Sequence, residues 1–283
     1  MNENLSACAK DYYLAHFDEL SPEKKFHFAT RIKNFFKVHD FDEFLKNNIP
    51  GQNVEQILED NDYRAVNFLE ERKEFFEKYD HLYAIEAALF RVNHLKNEYG
   101  IDVREKLTNI YPEEKLHQLG ASLLNDSNAL ETLSTFAINV ICLTETLFPS
   151  GKDPFKKLID FAATHEFKNQ TAFVYFVTHI ILCDTNFYVR PVEPSRTAAY
   201  RALLKKSEDI ILADFSEISI DAKLEFLVCA KLTGLESSIR EKIQNECAKN
   251  FAGDFLKDPR KSARLNTFDG AEHRNVLLIM GGI

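Results

Sequence analysis

The stretch "FVYFVTHIILCDTNFYVRP" (173–191) carries the most apolar run of the chain, and that run stops at Asp184. It lacks the alternation of a half-buried strand, and taken back to residue 170 it is long enough for about four helical turns. A helix that is apolar on every face must be enclosed by other elements, so residues 170–183 predict a central helix. Around it the helix grammar repeats. Ser21-Pro22-Glu23, Tyr111-Pro112-Glu113 and Asp153-Pro154 each place proline in a first turn, where its missing N–H costs nothing. Apolar residues recur at helical spacing over 63–79, 81–98, 127–147, 195–213, 219–233 and 236–250, with a break predicted near Asp80-His81. Asp269 with Glu272 three residues on has the pattern of a capping box that opens a last helix, and Gly281-Gly282 closes it. No segment alternates with period two between turn signals, so no sheet is expected beyond isolated turns.

The fold class read from this pattern is all-α: an array of antiparallel helical hairpins, arranged as an α/α toroid or a solenoid. The loop-like stretches are "NIPGQNVEQ" (48–56) and "YVRPVEPSRT" (188–197). Composition shifts near residue 125, from charged Glu/Lys-rich helices to more apolar ones. This is read as a soft subdivision inside one helical-array domain spanning 1–283. Twenty-four Phe and ten Tyr, against no Trp and two Met, make the core aromatic.

The net charge of −9 argues against nucleic acid as a partner, because that affinity comes from basic residues neutralising phosphates. The basic residues here are interleaved with acids, as in "EERKEFFEKYD" (70–80), and form no stripe that would seek an anionic membrane. Five cysteines without a CxxC pair fit neither a disulfide framework nor a cysteine-rich zinc site. No apolar run reaches the roughly 20 residues of a membrane span. A cytoplasmic protein is the expectation.

Three segments, "YFVTHIILCDTNF" (175–187), "DAKLEFLVCAKLTGLE" (221–236) and "EHRNVLLIMGG" (272–282), together resemble an uncharacterised family of bacterial all-helical proteins. The shared features are a Thr-His on an apolar helix, an acidic-apolar helix ending in glycine, and a terminal helix with a histidine near its start. The likeness covers the C-terminal part only. This chain has Asn186-Phe187-Tyr188 where the family pattern has an aspartate–aromatic–glycine turn. The resemblance implies an α/α-toroid-like array and carries no activity with it.

Candidate chemistry centres on three residues, His179, Glu225 and His273. Tyr175, His179 and Cys183 fall at i, i+4 and i+8 on one face of the 170–183 helix, and with Asp184 at its end they are candidates for lining a pocket. A buried imidazole needs a polar partner, and a core histidine bonded to a backbone carbonyl would serve as well as a catalytic one. His273 sits in the first turn of the last helix, where a surface position beside a cap is the plain alternative to an acid/base role. Glu225 borders the apolar face of 221–233, with an exposed carboxylate as its plain alternative. Metal chemistry is not expected. The only E-x-x-H is Glu114/His117, whereas di-iron bundles need two such pairs. "LEDND" (58–62) reads as an inter-helix loop. No P-loop, GxGxxG, HExxH or GxSxG occurs, so no cofactor is expected. Two functions fit: a pocket around 170–184 that binds a small molecule or peptide, as a binder or biosynthetic enzyme with His179 as acid/base, or a scaffold for a protein partner with no catalysis.

Overall fold

The computed structural model describes residues 4–283. In chain order the first helices are α1 (Leu5–Ala15), α2 (Pro22–Phe36), α3 (Asp42–Asn47), α4 (Val54–Asp60), α5 (Glu70–Lys78), α6 (Leu82–Tyr99), α7 (Arg104–Ile110) and α8 (Glu113–Leu124). They continue as α9 (Ser127–Leu133), α10 (Thr135–Leu147), α11 (Pro154–Thr164), α12 (Gln170–Asp184), α13 (Thr197–Ala213), α14 (Ile220–Thr233), α15 (Arg240–Asn250) and α16 (Glu272–Gly281). The fold is all-α, with 70% of residues helical. Among the described residues no helix is long and apolar enough to cross a membrane.

Local sequence explains several helix ends. Pro22 and Pro154 stand in first turns, and the Asp153 carboxylate accepts the Phe155 N–H at 3.0 Å. His81, in a left-handed conformation at φ 57°, separates α5 from α6 where the Asp80-His81 break is predicted. Gly282 takes φ 70° and closes α16. Three expectations change. The periodic segment 63–79 is helical as α5 only from Glu70, after a single 3-10 turn at Tyr63–Ala65. Residues 127–147 form two helices, broken at Ser134 (φ 41°, ψ −98°). Asp269 does not cap α16: its carboxylate accepts the Ser21 N–H at 2.8 Å, at the start of α2, and α16 begins three residues later.

The described residues also contain one antiparallel ladder, β1 (Phe251–Ala252) with β2 (Phe255–Leu256), two residues on each side. Gly253 supplies the positive φ of 74° that its two-residue turn needs.

The chain divides into two compact units. The first is Met1–Leu45 with Thr185–Ile283, and the second is the continuous segment Lys46–Asp184. Residue 125, where the composition shifts, lies inside the second unit between α8 and α9.

In the first unit, α16 is the central element and packs on α1, α2 and α14. It is buried from Glu272 to Gly281 except at His273. The Ser6 hydroxyl lies 2.9 Å from both the Leu278 and the Ile283 carbonyl oxygens, joining α1 to the end of α16. A stack of rings, Tyr13 on Phe28 at 5.7 Å and on Phe268 at 4.6 Å, fills the space beside α1. In the second unit, α10 is central and packs on α6, α8 and α12, while α11 packs on α12. The aromatic filling here is Phe76, Tyr83 and Phe136, with centroids 5.5–5.6 Å apart. The predicted enclosure of α12 holds along Phe173, Val174, Phe176, Val177, Ile180 and Ile181, each at most 1% exposed. Beyond the exposed or half-buried first turn (Gln170, Thr171 and Ala172), Tyr175 and His179 are its partly exposed positions.

Candidate functional site: a histidine cluster on the first unit and an acid relay in the second

In the first unit the start of α16 meets α2. Glu272 is fully buried, and its Oε1 accepts from His27 Nδ1 at 2.9 Å while its Oε2 lies 3.6 Å from the Lys24 ammonium. Burial alone would push this carboxyl up. His27, then Lys24 and His273, outweigh that and hold it below its ordinary range. The contact with Glu272 engages His27 Nδ1, and Arg31 Nε lies 3.5 Å from His27 Nε2. His273 lies alongside, its ring centroid 5.3 Å from that of His27.

His273 combines an exposed edge with crowded surroundings, and its ring makes no hydrogen bond among the described residues. Desolvation, and then the neighbouring His27 and Arg31, push its pKa well below the usual histidine range, against the pull of Asp221 and Glu272. It is therefore a neutral imidazole at neutral pH, open to solvent on one side. Asp221 is tied in turn to Arg274, 3.3 Å away and only 3% exposed.

Arg31 links this pair to the turn after α12. Its guanidinium lies 5.0 Å from the Phe187 ring centroid and 5.3 Å from that of Tyr188. Asn186, Phe187 and Tyr188 are three consecutive non-glycine residues at positive φ (49°, 54° and 75°). Such backbone is costly for aromatic residues, and several bonds pin it. Thr185 Oγ1 accepts the Tyr188 N–H at 3.1 Å, and Lys37 Nζ donates to the Tyr188 and Val189 carbonyls at 2.8 and 3.0 Å. Tyr188 thus adopts a conformation glycine would take freely, and in return sets a ring beneath Arg31. Burial pushes the Tyr188 hydroxyl far above its ordinary range, with Arg31 acting against the shift.

Glu225, on α14, is 2% exposed. The exposed-carboxylate alternative is therefore wrong. The single-face reading of 221–233 missed it because α14 is buried on nearly every side, Lys223 included. Its charge is felt by Tyr188 and by the buried Cys229 thiol, which desolvation pushes up.

The second unit holds the remaining candidates on α12. His179 Nδ1 donates to the Tyr175 carbonyl at 3.1 Å, one turn back, the bond expected of a core histidine; its ring nevertheless keeps partial exposure. Cys183 and Asp184 are buried. The Cys183 S–H donates to Asn139 Oδ1 at 3.5 Å, and Asn139 Nδ2 donates to Glu86 Oε1 at 2.9 Å, a relay across α12, α10 and α6. Burial, followed by the Cys142 thiol, pushes the Cys183 thiol up, so it is protonated and unreactive. Burial raises the Glu86 carboxyl to about 7 despite the Asn139 bond.

Glu86 therefore makes stability depend on pH. Its folded value lies above the unfolded one, so the folded state binds the extra proton and stability falls as pH rises from about 4.5 towards 7. Glu86→Gln keeps the Asn139 bond and removes the charge. It is expected to stabilise the protein by about 2 kcal/mol near pH 8 and to change little near pH 5. Denaturant unfolding at the two pH values measures this, and an equal effect at both would show that Glu86 is solvated.

Among the described residues no group of three His, Cys, Asp or Glu side chains is placed to hold a metal ion. The E-x-x-H pair does not act together: Glu114 accepts from Gln118 Nε2 at 3.1 Å, while His117 faces Glu113 and Glu145 at 3.7 and 3.9 Å. The signals missed in sequence were His27 and Arg31, which share a face of α2 at i, i+4. Glu86, between Ile85 and Ala87, gave no motif at all. Comparison of the chain with protein-family models, with curated proteins and with solved structures returned no match.

Proposed function

We propose that the protein binds a small anionic molecule on its first unit, against His273, His27 and Arg31, and moves a proton on it. The observation behind this reading is the pairing of two imidazoles 5.3 Å apart, one oriented by a buried carboxylate and the other open to solvent with no hydrogen-bond partner among the described residues. Perturbed titrating groups gathered at a partly open site are the usual mark of acid–base chemistry. Arg31 supplies the cation for the anion, and the turn at Asn186–Tyr188 holds strain of the kind found at ligand sites. In this reading His273 touches the ligand, while Glu272 acts by fixing the tautomer and orientation of His27.

The same proposal keeps a ligand-binding surface on the 170–184 helix, where Tyr175 and His179 are partly exposed above the Glu86–Asn139–Cys183 relay. It also includes stacking of the hairpins as an α/α toroid or solenoid, kinship with the helical family that the C-terminal motifs resemble, and a cytoplasmic setting consistent with five cysteines that form no disulfide among the described residues.

A panel of small carboxylates and phosphate monoesters tests the first-unit site by thermal shift and ligand-observed NMR. At least one compound is expected to stabilise the wild-type protein and to lose that effect in His273→Gln, with circular dichroism unchanged. Binding that survives both His273→Gln and Arg31→Gln, or no binder in the panel, overturns the reading and favours a scaffold for a protein partner.

A further inference from the structure

We infer that the second unit carries a separate binding cavity for a short amphiphilic carboxylate, at the junction of α8, α10 and α11. The cavity has a volume of 270 Å³, just below the roughly 300 Å³ at which small-molecule sites begin. Its floor is apolar, formed by Ala121, Leu124, Ile141 and Pro154. Two polar atoms of its lining residues have no hydrogen-bond partner among the described residues. One is Oγ1 of Thr144, a residue only 2% exposed, and the other is Nε2 of His117, which lies 3.7 Å from the Glu113 carboxylate. A threonine inside a helix ordinarily returns its hydroxyl to a carbonyl in the preceding turn. Thr144 leaves its hydroxyl unbonded at the cavity wall, and a buried polar group in that state calls for a partner.

The rim is preformed and its charges are unequal in their engagements. The Glu145 carboxylate is fully used, accepting from the Ser150 N–H, the Gly151 N–H and the Ser150 hydroxyl at 2.8–3.1 Å, and so pins the loop from which Ser150 lines the cavity. Asp153 is engaged as the cap of α11. The ammonium groups of Lys152 and Lys157, which also line the cavity, have no carboxylate partner among the described residues. An apolar pocket with bonded acids and unpaired lysines at its mouth selects an anion over a cation. The apolar body enters the floor, the carboxylate meets the lysines, and Thr144 Oγ1 and His117 Nε2 take the remaining hydrogen bonds. The size suits a single ring or a chain of roughly six to eight carbons.

Isothermal titration of the full chain with benzoate, phenylacetate and octanoate tests this, with benzylamine and benzyl alcohol as charge controls. At least one carboxylate is expected to bind at least tenfold more tightly than benzylamine. Ala121→Phe, which fills the floor from an exposed position, is expected to abolish binding. Lys152→Ala with Lys157→Ala is expected to weaken the carboxylate about tenfold while leaving benzyl alcohol unchanged. Thr144→Val gives a readout that a purely structural threonine would not: binding several-fold weaker in a protein of equal or higher melting temperature, because an unbonded buried hydroxyl has been removed. His273→Gln is expected to leave this binding intact, which separates it from the site on the first unit. Absence of carboxylate binding at millimolar concentration, or binding indifferent to Ala121→Phe and Thr144→Val, overturns the inference.

Discussion

Asn275→Leu is expected to destabilise the protein by about 3–5 kcal/mol, with two buried orphan groups at roughly 1–3 kcal/mol each. Asn275 is fully buried on α16, and its amide does the work of a neighbouring strand. Its Oδ1 accepts the Leu256 N–H at 2.8 Å, and its Nδ2 donates to the Leu256 carbonyl at 3.1 Å and to the Ala271 carbonyl at 2.9 Å. Leu256 pairs with Phe251 in the β1–β2 ladder, and the next rung outward is the Lys257 N–H to the Asn250 carbonyl. Leu256 therefore occupies a ladder position whose polar groups turn away from the partner strand. Leucine has as many side-chain heavy atoms as asparagine, branched at the same carbon, so no cavity opens and the loss comes from the two orphaned backbone groups. Chemical denaturation of the variant measures it. A loss below about 1 kcal/mol would mean that water reaches Leu256 from the surface.

Glu272→Ala is expected to cost about 3 kcal/mol, at the low end for breaking a buried ion pair because His27 and Lys24 keep some contact with water. The sign of the pH dependence checks the cause. Glu272 is held below its ordinary range in the fold, so its contribution is present above the unfolded carboxyl value and is lost as pH falls through the folded one. The gap between wild type and variant should therefore close on acidification. Glu272→Gln separates orientation from charge: its amide oxygen still accepts from His27 Nδ1, so ligand binding at His273 should survive better than in the alanine variant. A stability gap independent of pH would assign Glu272 a packing role only.

The helices themselves were legible because their signals are local. Proline at Pro22 and Pro154, the break at Asp80-His81 and the glycine end of α16 act through backbone geometry within a few residues. The short hairpin also left a mark that the helix pattern around it obscured: Gly253-Asp254 between Ala252 and Phe255 has glycine where a two-residue turn needs positive φ. His273 was legible as a candidate from its place at a helix start, and His179 from its isolation on an apolar helix. Periodicity misjudged Ser134, because a break made by one strained residue leaves no trace in apolar spacing.

Sequence alone determined the all-α class, the enclosure of α12 and the acidic, interleaved surface, since each follows from residue type and short-range spacing. Tertiary structure alone decided which helix became the centre of the first unit and which charges were buried there. α16 carries Glu272, Arg274 and Asn275 in its first two turns, yet all three are at most 3% exposed. They can be buried because His27 from α2, Asp221 from α14 and Leu256 from the hairpin meet them with matching bonds. Those partners lie about 20 to 245 residues away in sequence. Burial of a polar group depends on a partner in space, and spacing along one helix holds no record of it.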